Sequence, residues 1–188
     1  MNRLVITFIL SKFLEQSLNQ IREHFEPGVS LKIPPHLSVS YPFFFSEPIE
    51  KLTAKLSQVE KNFSPIEVTL TGIGVFQKET QGEIIYAKVY PPEKLNQLFE
   101  YMKNNVLEGV VFDTTIFSDG KLPAFVPHIT LSMKSSIANK EWVNSRLSFL
   151  LGIKIILDKL VLFNYLKGDS IWKKEKAFIL GKPSLPQP

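Results

Sequence analysis

Between Leu4 and Leu10 the chain is almost unbrokenly apolar, a run short enough for a buried strand, and Leu14, Leu18, Ile21 and Phe25 then recur at helical spacing. The helical period returns in Ile49, Leu52, Leu56, Val59 and Phe63, with Pro48 suited to a first turn. From Ile66 to Thr71 apolar and polar residues alternate strictly. Gly72 and Gly74 interrupt that run, Lys78 to Gly82 supplies turn residues, and Glu83 to Tyr90 reads as the returning strand of a hairpin. After Pro91-Pro92, Leu95, Leu98, Phe99, Met102 and Val106 predict a third helix, and Val143, Leu147 and Leu150 a fourth. Two long strands, Ile153 to Phe163 and Ile171 to Leu180, close the chain as a hairpin around a Lys-Gly-Asp turn. Without regular βαβ alternation, these elements predict an α+β fold of antiparallel sheets with flanking helices.

An internal repeat cuts across this pattern. Pro35-His36-Leu37-Ser38-Val39-Ser40 and Pro127-His128-Ile129-Thr130-Leu131-Ser132 differ only by conservative exchanges, and each precedes a helix. A given histidine acquires such a context by chance on the order of once in a thousand, yet two of the three histidines have it. On a strand, His36, Ser38 and Ser40 share one face while Leu37, Val39 and Tyr41 share the other. The second copy groups His128, Thr130, Ser132 and Lys134 and sends Ile129, Leu131 and Met133 inward. If the repeat reflects a pseudo-two-fold, the two polar faces line one central cleft.

Composition narrows the chemistry. The 188 residues suffice for one domain with a full core, and 44% are hydrophobic. There is no cysteine, so thiolate nucleophiles, disulfides and cysteine-ligated metals are excluded. No nucleotide-binding glycine loop and no GxSxG occur, and two motif histidines without a third ligand make a poor zinc site. A formal charge of +4 and a pI near 9.2 favour an anionic partner slightly. The early apolar run is too short for a membrane span and no small-residue cleavage site follows it, which points to the cytoplasm and away from the membrane.

A cleft with two imidazoles suits phosphoryl transfer, which needs a base for the attacking oxygen, an acid for the leaving oxygen and donors for the rest. His36 and His128 divide the first two roles. Ser38 and Thr130, roughly 6.5 to 7 Å along each strand from their histidines, donate to the phosphate, and Lys134 adds positive charge. Neither metal nor cofactor is required. One imidazole starts neutral and the other charged, which predicts a bell-shaped rate profile. His24, near a helix end without a motif, reads as a surface or capping residue, and Tyr41, Phe76 and Tyr86 read as core rather than as platforms for a base.

The paired P-H-h-[ST]-h motifs resemble those of the 2H phosphoesterase superfamily, which includes 2′-5′ RNA ligase-like proteins and 2′,3′-cyclic phosphodiesterases. Both match residue by residue, with Ser38 standing where threonine is commoner and keeping the hydroxyl. The resemblance implies a bilobal α+β fold over residues 1–182 with both histidines in a central cleft, followed by a flexible tail over 183–188. It implies action on 2′,3′-cyclic phosphate or 2′-5′ linkages of RNA or nucleotides, with reverse ligation open, and no protein partner. A non-catalytic module binding RNA ends in the same cleft is the alternative. The connection from Glu108 to Ala124 reads either as a lid or as an ordinary link containing another strand.

Overall fold

In β1 (Asn2–Ile9) Leu4, Ile6 and Phe8 are fully buried on one face, leaving Arg3, Val5, Thr7 and Ile9 on the other, as the two-residue period of a strand requires. α1 (Lys12–Phe25) begins at Ser11, whose Oγ accepts the Leu14 amide, with Glu15 in the first turn facing the positive end of the helix dipole. Its Leu14, Leu18 and Ile21 join the core beneath that first face.

The computed structural model describes residues 2–78, 82–117, 120–135, 139–166, 168 and 170–181, excluding the side chains of Lys78, Ile116, Lys134 and Ser135. The expected tail over 183–188 lies outside them. A short helix α2 (Val29–Lys32) leads to β2 (His36–Ser38) and β3 (Phe43–Phe45). α3 (Ile49–Asn62) precedes the hairpin of β4 (Ile66–Lys78) and β5 (Gly82–Tyr90). α4 (Glu93–Tyr101) widens into a π-turn over Met102–Val106, and β6 (Val111–Phe112) follows. The chain then forms β7 (His128–Ser135), α5 (Lys140–Leu147), β8 (Lys154–Leu157), β9 (Lys159–Leu166) and β10 (Ile171–Ile179).

These strands form one sheet in the order β10-β9-β1-β2-β7-β5-β4-β8, with β3 against β1 and β6 against β3. Each of these ladders is antiparallel. The halves meet at β2 and β7, and in each half the next strand outward is the one that precedes a helix, β1 before α1 and β5 before α4. The α+β, pseudo-two-fold architecture read from the sequence is therefore present, as one continuous curled sheet. The helices bury one face over a single large core. The other face carries, among the described residues, a smaller cluster of Val5, Val161 and Phe163, flanked by Ile9, Trp172 and Ala177. No helix among the described residues is long and apolar enough to cross a membrane.

Three expectations need correction. The glycines do not end β4: Gly72 takes up a register shift with φ +140° and the strand runs on, while Gly74 lies beneath the Tyr86 ring, where a Cβ would come within 2.2 Å of Cζ. The apolar stretch from Ile153 to Phe163 is not one strand. It breaks at Asp158, so that β8 pairs with β4 and β9 with β1 in opposite halves. Met133 is not in the core but 45% exposed. Bulges in β7 set Thr130 against Tyr86 but Ser132 against Ile85, which reverses the alternation and turns Ser132 inward. The connection over 108–124 contains the short strand β6 and a 3-10 turn at Thr114–Ile116, matching the second of its two readings.

Candidate active site

The ladder pair Leu37–Ile129 joins β2 to β7 and sets the geometry of the site. Both side chains are buried in the core, so their neighbours along each strand point to the opposite face. One residue to either side of this antiparallel pair, His36 stands across from Thr130 and Ser38 across from His128. The four form a square with the histidines on one diagonal. Cβ atoms so related lie roughly 7–8 Å apart, a gap that a phosphate group fills.

The two imidazoles are held alike. His36 Nδ1 is 2.7 Å from the Pro34 carbonyl and His128 Nδ1 is 2.6 Å from the Val126 carbonyl. A carbonyl only accepts, so each Nδ1 carries the proton and each Nε2 is left for other chemistry. The intervening Pro35 and Pro127 explain the repeated P-H: proline holds the residue before it extended, fixing the carbonyl that reaches back to the ring.

Burial above all, helped by the positive charges of Arg22 and His128 and opposed by the Pro34 carbonyl, lowers the pKa of His36 to about 4. His128 is lowered as well, by burial, with the Val126 carbonyl opposing. Arg22 was not anticipated. Its guanidinium is buried and donates to Asn19 Oδ1 at 2.8 Å and to the Ile33 carbonyl at 3.0 Å, tethering the segment that enters His36. An arginine at the edge of an apolar helical stripe was the available signal.

The surroundings of the two histidines differ. Ile9 pairs with His36 and Thr7 with Ser38; Thr7 is fully buried, and its Oγ1 has no hydrogen-bond partner among the described residues. On the other side Tyr86 pairs with Thr130 and Lys88 with His128. Phe76 stacks on Tyr86 at 4.2 Å, and both rings meet His128 edge-on, at 5.0 and 5.2 Å. Tyr86 is buried, as its reading as core requires, but the strand register shows in addition that both rings border the pair of histidines. Tyr41 does pack away from them, edge-on to Phe99 with its hydroxyl donating to the Pro123 carbonyl at 2.7 Å.

Ser40 does not join the polar face: β2 ends at Ser38, and Ser40 Oγ accepts the Ile6 amide at 2.9 Å, closing a gap in the β1 ladder. The Lys134 side chain lies outside the described residues. His24 stacks on Trp142 at 4.0 Å, a packing role. Among the described residues no group of three or more His, Asp or Glu stands together as a metal site.

The family model of the 2′-5′ RNA ligase superfamily matches residues 11–169. The chain belongs to that superfamily. A Bacillus licheniformis protein described as a candidate phosphoesterase is 32% identical over 94% of this chain and 97% of its own length. One of the same description from Geobacillus kaustophilus is 27% identical over 90% and 91%. Escherichia coli LigT complexed with 3′-AMP shares the fold, with a TM-score of 0.65 at 17% identity over 96% of this chain and 99% of LigT. TT0787 of Thermus thermophilus does so with a TM-score of 0.62 at 20% identity over 95% and 97%. The 2H phosphoesterase resemblance read from the two P-H motifs thus holds for the chain as a 2′-5′ RNA ligase superfamily member.

Proposed function

We propose that the chain is a metal-independent phosphoesterase that hydrolyses 2′,3′-cyclic phosphate or 2′-5′ phosphodiester bonds in RNA or nucleotides, using His36 and His128 as acid and base. The observation that carries this reading is the square of His36, Ser38, Thr130 and His128, with both histidines tethered through Nδ1. His36, neutral down to about pH 4, is the base that takes the proton of the attacking water as its oxygen bonds to phosphorus. His128, protonated as the phosphate anion docks, gives its Nε2 proton to the ester oxygen that leaves. Ser38 and Thr130 donate to the remaining oxygens. With a nucleoside 5′-hydroxyl in place of water, the same steps ligate: its oxygen bonds to the phosphorus of a 2′,3′-cyclic phosphate as His36 takes its proton, and the 3′-oxygen leaves with the proton of His128.

The family supports a phosphoesterase, and a structural neighbour complexed with 3′-AMP supports a nucleotide in the cleft. The decisive experiment is turnover, in EDTA, of nucleoside 2′,3′-cyclic phosphates and of RNA ending in a cyclic phosphate. Wild type should cleave them, and His36→Ala and His128→Ala should each lose roughly 10²–10⁴-fold. Histidine-dependent binding without turnover would instead mark a non-catalytic module for RNA ends.

A further inference from the structure

Lys88 is the ladder partner of His128, and its strand neighbours Ala87 and Val89 point into the core. Its side chain therefore stands beside the imidazole on the cleft face. It is exposed and enters no ion pair with an acidic group among the described residues. The pseudo-two-fold places Ile9 beside His36 where Lys88 stands beside His128, so this charge is not something the shared scaffold demands.

Across the sheet the order is Ser38, His128, Lys88. Strands lie about 4.8 Å apart, which puts Lys88 roughly 7 Å to the side of the square's centre. Its long arm meets a group next to the one held between the histidines. Tyr86, on the same strand and face, carries Phe76 stacked over it and forms the wall between that group and β4.

We infer that Lys88, beside the Phe76–Tyr86 wall, is an anion site for a second phosphate that the substrate carries next to the one being cleaved. The preferred substrate class is then an RNA end or other nucleotide with a further phosphate, not a bare nucleoside cyclic phosphate. This rests on the function proposed above. It adds a specificity determinant outside the histidine square.

The test compares binding of 3′-AMP and adenosine 3′,5′-bisphosphate by calorimetry to wild type, Lys88→Met and Lys88→Arg. Wild type should bind the bisphosphate about tenfold tighter or more. Lys88→Met should bring the ratio near one, while Lys88→Arg should keep it. For a short RNA, Lys88→Met should also reduce the slope of log affinity against log salt by about one. No preference in wild type, a preference intact in Lys88→Met, or an equal loss for both ligands would each overturn the inference. Failure of wild type to turn over 2′,3′-cyclic phosphates in EDTA would instead remove the proposed function, and this inference with it.

Discussion

Around His36 the first half of the cleft face sets Ile9 beside the imidazole and Thr7 beside Ser38, with Val5, Val161 and Phe163 in a small apolar cluster further out. Around His128 the second half sets Phe76, Tyr86 and Lys88 against the ring. Yet the two imidazoles share one anchoring device, a carbonyl two residues upstream across a proline, and both rise from a buried core pair. Symmetry is kept at the two rings, which the proposed mechanism sets on one phosphorus atom, and is lost one strand further out. On the proposed function, the difference teaches that the repeat carries the reaction chemistry, while the choice of substrate is written on the neighbouring strands.

The most severe way to challenge that symmetry is to remove both rings. If His36 and His128 act as one unit, the double alanine variant should cost little more in kcat/KM than the worse single variant, itself down roughly 10²–10⁴-fold. Additive losses would mean that the rings work separately.

Acid stability sharpens the comparison next. The His36 pKa falls from 6.5 to about 4 on folding, so between those values the unfolded chain holds a proton that the folded chain does not. Its contribution is fully present above pH 6.5 and is lost as pH falls through about 4, on the order of 3 kcal/mol in all. His36→Gln should flatten the dependence of Tm on pH across that window. Because His128 is also lowered, kcat/KM should peak on the acid side of 6.5, and a peak well above neutrality would contradict both shifts.

Gly74→Ala strikes the second half alone. Its new Cβ would collide with the Tyr86 ring, at a cost of about 1–3 kcal/mol in stability, and would displace the wall behind His128, lowering kcat as well. The smallest effect belongs to the first half. Thr7→Val removes a buried hydroxyl that no described group satisfies, so Tm should hold or rise by less than about 1 kcal/mol in stability. A clear fall in kcat/KM without a fall in Tm would assign that hydroxyl to the ligand.

Much of this was legible in the residues, and the failures share a cause. The amphipathic spacing of Leu14, Leu18 and Ile21, or of Leu52, Leu56 and Val59, fixes which helix face is buried, because both depend on a local period. The two P-H motifs were readable for the same reason. Met133 was misplaced because a bulge shifts strand parity without a signature in the residues it moves. The break at Asp158 had one faint sign, a lone acid within an apolar run, but nothing local says that its two flanks lie at opposite ends of a sheet. Phe76, Tyr86 and Lys88 escaped because proximity to His128 is a property of register, which the tertiary structure decides.

The split at Asp158 also bears on how the chain is made. The strand that follows α3 is given to the second half, and the two last strands return to complete the first. During synthesis β1 meets β2 and β3 early, but its partner on the other side, β9, is encoded some 150 residues later. The first half is thus drawn from separate stretches towards the two ends of the chain, whereas the strands of the second lie together from β4 to β8, broken by the short β6.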